Sequence, residues 1–259
     1  MAGRELHLNL NMLASGVFPG AWTLPGVPTD SFVDIGHFQE AAQIAERGRF
    51  DAFFLPDVPV VGPAVGSRPP DCGLDPTMVL TAVAGVTSHI GLVATASTTF
   101  NTPFDLARRF ASLDFISGGR AGWNAVTTFS TELAANFSDR PHPGREDRYE
   151  RAAEFIAVVR KLWDSWEEDA IVADRASHRY VREGGVRPVD HVGKHFSVRG
   201  PLPLPRPPQG HPLIFQAGSS PPGRDLAARE ADAVFSLALE IEAATEYAED
   251  IRRRARSYG

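Results

Sequence analysis

The chain has 259 residues, a formal net charge of −6, 43% hydrophobic residues and 22% charged residues, which is the composition of an ordinary globular protein. A net negative chain without a long basic run argues against nucleic acid as its main partner. Cys72 is the single cysteine, so no intrachain disulfide can form, and this favours a reducing compartment. Because no signal peptide or membrane-spanning run is evident, we expect a cytoplasmic protein without a membrane partner.

Strands and helices alternate over the first half of the chain. Alternating or continuous apolar runs predict strands at 6–11, 51–55, 90–96 and 121–128. Apolar residues at helical spacing, with caps or a proline in the first turn, predict helices at 31–47, 76–88 and 103–117. Strands that alternate with helices in this way are typical of parallel βα units.

The second half begins with a long amphipathic helix, predicted at 145–166. Residues 167–210 then break the alternation with a charged and proline-rich stretch in which aromatic residues are interspersed, which indicates an insertion rather than a linker. Insertions in βα proteins commonly cover an active site, and we expect the substrate beneath this one. Two further strands and a last helix are predicted at 213–217, 233–236 and 241–257.

Polar residues follow several predicted strands. They are Asn11, Asp57, Ser97-Thr98, Thr127-Thr128 and Ser219-Ser220. In a parallel barrel every strand end points to the same face, whereas in an open doubly wound sheet the ligand lies near a switch point. No G-x-G-x-x-G follows the first strand, so a Rossmann dinucleotide site is disfavoured. Asn124, a polar residue within an apolar strand, needs a hydrogen-bond partner.

The stretch 211–230 (HPLIFQAGSSPPGRDLAARE) joins a buried strand to a helix predicted to begin near Asp225. Backbone N–H groups and the helix dipole favour an anion at such a junction. Ser219 and Ser220 add hydroxyl groups and Arg224 adds a positive charge, so the stretch predicts a phosphate cradle for a nucleotide-type cofactor. An ordinary turn with a serine N-cap explains the same residues, and both interpretations stay open.

Six segments together resemble the bacterial-luciferase-like superfamily, and within it the nitrilotriacetate/dibenzothiophene-sulfone monooxygenase family. They are 53–57 (FFLPD), 94–99 (ATASTT), 113–124 (LDFISGGRAGWN), 148–152 (RYERA), 195–202 (HFSVRGPL) and 216–220 (QAGSS). The resemblance implies an α/β fold of the TIM-type (β/α)8 barrel class. We expect residues 1–259 to be a single barrel domain with an insertion at about 167–210, before the fifth strand. Because about six of the eight strands can be counted, we also expect the domain to be incomplete at its C-terminus.

The resemblance also implies which residues bind a flavin. The family's positions are Asp57 near the flavin or ribityl region, Thr98 at the ring edge, Tyr149, and Ser220 at the phosphate, with Ser219 beside it. Many members carry a histidine four residues before the tyrosine. Arg145 stands there in this chain, and its guanidinium can bind phosphate but cannot act as a base. Trp123 and Asn124 are expected on the barrel floor near the ring.

The implied activity is that of a flavin-dependent monooxygenase. FMN would arrive as FMNH2 from a separate NAD(P)H:flavin reductase, and O2 would serve to oxidise a small organic substrate with cleavage of a C–N or C–S bond. Relatives are commonly homo-oligomers. Three alternatives stay open: a truncated, non-catalytic fragment, a deazaflavin-dependent oxidoreductase of the same superfamily, and a metal-dependent barrel hydrolase. The last has only His7 and Asp57 as strand-end ligands, and no metal is expected.

Overall fold

The computed structural model describes residues 7–14, 16–62, 65–70, 72–138 and 141–258. The first half of the chain forms β1 (Asn9–Asn11), α1 (Ile35–Arg47), β2 (Ala52–Leu55), α2 (Pro76–Ala84), β3 (Gly91–Ser97), α3 (Pro103–Ser117), β4 (Ala121–Val126) and α4 (Thr131–Ala134). The second half forms α5 (Arg145–Trp163), β5 (Ile171–Asp174), β6 (Arg179–Val181), β7 (His191–Val192), β8 (Ser197–Val198), β9 (Leu213–Gln216), α6 (Pro221–Glu230), β10 (Ala233–Val234) and α7 (Ile241–Ala255).

Within the described residues, one six-stranded sheet runs in the order β1-β2-β3-β4-β9-β10, and every pairing in it is parallel. The strands therefore follow each other in chain order and no switch point interrupts them, as in a barrel wall and unlike a doubly wound sheet. The predicted parallel βα organisation is confirmed. None of the described helices is both long and apolar enough to cross a membrane.

The period of two along each strand divides the sheet into two faces. The outer face packs on the helices and forms the main core, which includes Phe53, Leu92, Phe110, Trp123, Phe155 and Ile214. The inner face carries a smaller cluster of Ala52, Phe54, Val93 and Phe215. This inner cluster forms the base on which the candidate site is built.

Several predicted boundaries were wrong, because local capping decides where an element begins or ends. α1 begins at Ile35 rather than residue 31, since the side chain of Asp34 accepts from the N–H of Gly36. α6 begins at Pro221 rather than near Asp225, since Ser220 is its N-cap. The first predicted strand is reduced to Asn9–Asn11, and Leu6 lies outside the described residues.

Smaller corrections shorten other elements. The predicted helices at 76–88, 145–166 and 241–257 end earlier, at Ala84, Trp163 and Ala255, and the strands at 121–128 and 233–236 end at Val126 and Val234. The short helix α4 was not predicted. Its N-cap is Ser130, whose hydroxyl accepts from the N–H of Leu133.

Residues between α5 and β9 form two antiparallel hairpins, β5–β6 and β7–β8. Glu154 of α5 holds the second hairpin. Its carboxylate accepts from the backbone N–H groups of His195 and Phe196, each at 3.0 Å, and lies 3.0 Å from Nε2 of His191. The hairpin is thereby attached to α5.

Candidate active site

A cavity of about 360 Å³ lies at the carboxyl ends of the strands. Its volume is within the range of small-molecule sites. Residues at or just after the ends of several strands line it, together with one residue of α5. The polar lining residues include Asn11, Asp57, Thr95, Asn124, Tyr149 and Gln216. Phe54 and Phe235 contribute apolar surface, and their rings stack with centroids 5.7 Å apart.

Asn124 faces this cavity from the inner side of β4. Its residue is 4% exposed, and its side-chain amide donates to Oγ1 of Thr95 at 2.9 Å. The amide oxygen is buried and has no hydrogen-bond partner in the described structure. A buried acceptor without a donor costs about 1–3 kcal/mol. The predicted need for a partner is therefore met on one side of the amide only, and the other side suits a ligand N–H or O–H group.

Trp123, the preceding residue, points away from the cavity. Its indole N–H donates to the carbonyl of Ala96 at 3.0 Å, and its ring lies 5.9 Å from that of Phe110 and 5.7 Å from that of Phe155. The expectation that Trp123 lies near a bound ring was wrong. Adjacent residues of a strand face opposite sides of the sheet, so Trp123 and Asn124 cannot share one site.

Asp57 follows β2 and lies half-buried at the edge of the cavity. Burial and, after it, the negative charge of Asp75 raise the pKa of its carboxyl to about 6, while the positive charge of Arg109 opposes the rise. The opposition is weak because Arg109 also lies 3.2 Å from a carboxylate oxygen of Asp105 and 3.9 Å from one of Asp75. Asp57 can therefore exchange a proton close to neutral pH.

Tyr149, Gly218 and Gly223 form a close-packed cradle after β9. A Cβ atom placed on Gly223 would lie 2.7 Å from the Tyr149 hydroxyl and 2.8 Å from Cα of Gly218. A Cβ atom on Gly218 would lie 2.9 Å from the same hydroxyl. Oγ of Ser220 is 3.5 Å from the Tyr149 hydroxyl. The fold thus brings together two predicted flavin-binding residues that are 71 positions apart in the chain.

The helix after this cradle supplies fewer N–H donors than expected. Pro221 and Pro222 occupy its first two positions and carry no N–H, and the N–H of Gly223 points to Oγ of Ser220 at 3.4 Å. The N–H groups of Ser219 and Ser220 have no acceptor within the described residues. A phosphate there would be bound by these two groups and by the exposed hydroxyl of Ser219.

Arg224 does not supply the expected free positive charge. Its Nε donates to the carbonyl of Ser219 at 3.0 Å, and one terminal nitrogen pairs with the carboxylate of Asp250 at 3.1 Å. The guanidinium also lies 4.9 Å from the ring centre of Tyr247. Arg224 therefore joins α6 to α7 and shapes the cradle from outside.

The other predicted site residues lie apart from the cavity. Thr98 is 1% exposed, and its hydroxyl donates to the carbonyl of Val126 at 3.2 Å. Arg145 is the exposed first residue of α5. Neither residue lines the cavity, whereas Asp57, Asn124 and Tyr149 do, and Ser220 adjoins it through Tyr149. The flavin-binding roles themselves stay predictions.

Thr95 and Gln216 line the cavity and were missed as site residues, and Thr128, one of the polar residues at a predicted strand end, lines it as well. Thr95 pairs in register with Asn124. It is also a polar residue within an apolar strand, so the criterion that identified Asn124 could have identified Thr95. Thr128 has a φ of 43°, which is strained for a β-branched residue. Its hydroxyl donates to Oγ of Ser97 at 2.8 Å, and its carbonyl lies 3.0 Å from Nε2 of His142.

The segment 167–210 contributes no residue to the cavity lining. All of its residues are described. Glu154 holds the second hairpin on α5, and the expectation that the substrate lies beneath the segment stays a prediction. Among the described residues, no three His, Cys, Asp or Glu side chains come together as a metal site requires.

Comparison with known proteins agrees with this geometry. The family model of luciferase-like monooxygenases matches residues 15–259. The chain is 43% identical to nitrilotriacetate monooxygenase component A of Aminobacter aminovorans, over 100% of this chain and 59% of that protein. It is also 43% identical to dibenzothiophene-sulfone monooxygenase of Rhodococcus erythropolis strain XP, over 92% of this chain and 55% of that protein. The crystal structure of a riboflavin lyase with modified FMN and riboflavin matches with a TM-score of 0.88 at 34% identity, covering 98% of this chain and 59% of that one.

The sequential parallel sheet, with a cavity at its strand ends, defines an α/β protein of the TIM-barrel class. The chain belongs to the luciferase-like monooxygenase family. The resemblance seen in the sequence motifs is therefore confirmed. The chain spans 59% and 55% of the lengths of the two relatives.

Proposed function

We propose that this chain provides the flavin-binding part of a monooxygenase that uses FMNH2 and O2 to oxidise a small organic substrate. The observation that carries the proposal is the unpartnered oxygen of Asn124, which faces a cavity bordered by the Tyr149–Gly218–Gly223 cradle. A flavin mononucleotide has ring N–H groups at one end and a phosphate at the other. The cavity and the cradle offer an acceptor for the first and donors for the second.

The residues present fit such a cofactor. The N–H groups of Ser219 and Ser220 and the hydroxyl of Ser219 would hold the phosphate, with Tyr149 beside them. Asn124 would accept a hydrogen bond from the ring, and Phe54 would contribute apolar surface. When bound, the reduced flavin supplies the reaction with O2.

The chain's own residues would position the reactants and exclude water. The stacked rings of Phe54 and Phe235 make the base of the cavity apolar. Asp57, with a pKa of about 6, could hold or release a proton at the edge of the cavity. No further acid or base is needed in this proposal, since the oxygen chemistry belongs to the cofactor.

The supply of FMNH2 by a separate NAD(P)H:flavin reductase is part of the proposal. It is supported by the name of the Aminobacter relative, which is called component A and therefore has at least one partner component. We also propose that residues 1–259 belong to one barrel domain with an insertion at about 167–210. A cytoplasmic location and self-association belong to the same proposal.

Anaerobic titration of the purified chain with FMNH2 tests the proposal, with circular dichroism and size exclusion as measures of folding. We expect saturable binding that Ser219→Ala and Asn124→Ala each weaken, by about tenfold for a lost hydrogen bond to a charged or buried group. Ser112→Ala is the matched control, since this hydroxyl donates to the carbonyl of Arg108 on α3. A folded chain that does not bind FMNH2 would refute the proposal.

A further inference from the structure

We propose that the substrate bound beside the flavin is a neutral, largely apolar organic molecule and not a polycarboxylate. This inference rests on the proposed function, since it concerns the same cavity. The two relatives compared above differ in this respect by name, as one acts on nitrilotriacetate and the other on dibenzothiophene sulfone. The chain is 43% identical to each of them, so overall similarity does not decide between the two substrate classes.

The charges of the cavity lining favour a neutral ligand. Among the described lining residues, Asp57 is the one Asp, Glu, Lys, Arg or His side chain. The other polar groups are hydroxyls and amides, such as those of Thr95, Thr127 and Gln216. With a pKa of about 6, Asp57 is mostly ionised at pH 7.5 and would repel a carboxylate.

Three arginines on α3, α5 and α6 contact other groups. Arg224 pairs with Asp250, Arg109 lies against Asp75 and Asp105, and a terminal nitrogen of Arg148 donates to the carbonyl of Pro143. None of these arginines lines the cavity. Proteins bind carboxylates most effectively through bidentate arginine pairs, and the described lining offers no such group.

The rim of the cavity is apolar as well. Phe129 is 88% exposed and Leu237 is 81% exposed, and both line the cavity together with Val58, Val126 and Leu133. Exposed apolar side chains that border a cavity gain free energy when an apolar ligand covers them. A polyanion placed there would lose water without gaining a cation. Charge and apolar surface therefore point to the same class of ligand.

Equilibrium dialysis of the purified chain tests this inference at pH 7.5 with two probes, dibenzothiophene sulfone and nitrilotriacetate, each with and without FMN. We expect the sulfone to bind at least about tenfold more tightly than nitrilotriacetate, because the latter meets like charge without a compensating cation. FMN binding is followed in parallel by flavin absorbance.

Two variants with the same change of charge, one on the cavity lining and one outside it, test the role of the lining. Leu237→Arg places a guanidinium on the cavity lining, and we expect it to tighten nitrilotriacetate binding by about threefold to tenfold and to weaken sulfone binding. Leu239→Arg makes the same change of charge two residues along, at a side chain that is 94% exposed and outside the lining. The control variant is expected to leave both affinities as in the unmodified chain.

The outcomes separate the two proposals. Tighter binding of nitrilotriacetate than of the sulfone, or binding of neither probe, would overturn the assignment of substrate class. An equal response of the Leu237→Arg and Leu239→Arg variants would also overturn it, since the lining would then not decide the preference. Failure of FMNH2 to bind in the anaerobic titration would instead refute the proposed function, while dialysis without flavin still decides which class of molecule the cavity prefers.

Discussion

The outer and inner faces of the sheet are built by alternate residues of the same strands, yet their properties are opposite. On the outer face Trp123 is fully buried, and its indole N–H is hydrogen-bonded. On the inner face Asn124 keeps an oxygen without a partner, and Asp57, which follows β2 at the edge of the cavity, has a raised pKa. The outer face is closed by helices, whereas the inner face borders a cavity.

The outer face contributes mainly to stability, and the inner face contributes mainly to binding. Satisfied groups and close packing on the outer face lower the free energy of the folded state. The inner face retains polar groups that are unfavourable until a ligand meets them, as is common at functional sites. Substitutions on the two faces should therefore separate the free energy of unfolding from the affinity for FMN.

The largest effect is expected from Trp123→Ala on the outer face. Removal of this buried ring should lower the free energy of unfolding by about 3–5 kcal/mol, because it leaves a cavity between Phe110 and Phe155. Urea unfolding measures the loss. Trp123→Phe is the control and should cost less, since much of the ring remains. A stable Trp123→Ala variant that binds FMN poorly would reverse the roles assigned to the two faces.

Gly223→Ala tests the cradle. The added Cβ would lie 2.7 Å from the Tyr149 hydroxyl, so we expect a loss of about 1–3 kcal/mol in stability and weaker FMN binding. The double variant with Tyr149→Phe should recover only part of the stability, because the added Cβ would still lie 2.8 Å from Cα of Gly218. Gly85→Ala is a matched control, with its nearest contact at 3.6 Å. If it destabilises as much as Gly223→Ala, crowding in the cradle is not the cause.

Asn124→Leu combined with Thr95→Val removes both partners of the buried hydrogen bond on the inner face. We expect the free energy of unfolding to change by less than about 1 kcal/mol, or to increase, because the unpaired oxygen is also removed. The affinity for FMN should fall about tenfold. Thermal unfolding and flavin titration measure the two quantities. A large loss of stability with unchanged FMN binding would assign Asn124 to the core.

The smallest effect concerns Asp57→Asn and depends on pH. The pKa of Asp57 in the folded chain is about 6, above its ordinary value of 3.8, so the folded state binds this proton more tightly than the unfolded state. Its contribution to stability is complete below about pH 4 and is lost as the pH rises through about 6. Relative to the unmodified chain, Asp57→Asn should gain about 1 kcal/mol between pH 4.5 and pH 7.5, after allowance for solvent screening.

Urea unfolding at the two pH values measures that gain. Asp34→Asn is a useful comparison, since this carboxylate accepts from the N–H of Gly36 at the start of α1. A gain that does not depend on pH would show that Asp57 titrates at its ordinary pKa in the folded chain.

The hydrophobic periodicity of the sequence predicted the order of the parallel βα units, because this periodicity is visible within a few residues. The apolar residues around Asn124 likewise showed that its side chain needs a partner. The sequence also contained a signal that was missed. Pro221 and Pro222 remove two N–H donors from the start of α6, and this follows from the residue type alone.

The tertiary structure was needed to show which groups meet. It placed the Tyr149 hydroxyl beside Gly218 and Gly223, paired Arg224 with Asp250, and held the second hairpin on α5. It also decided that Trp123 faces the helices and Asn124 the cavity. These contacts join residues distant in the chain or depend on which face of the sheet the helices cover, and spacing along the sequence carries neither kind of information.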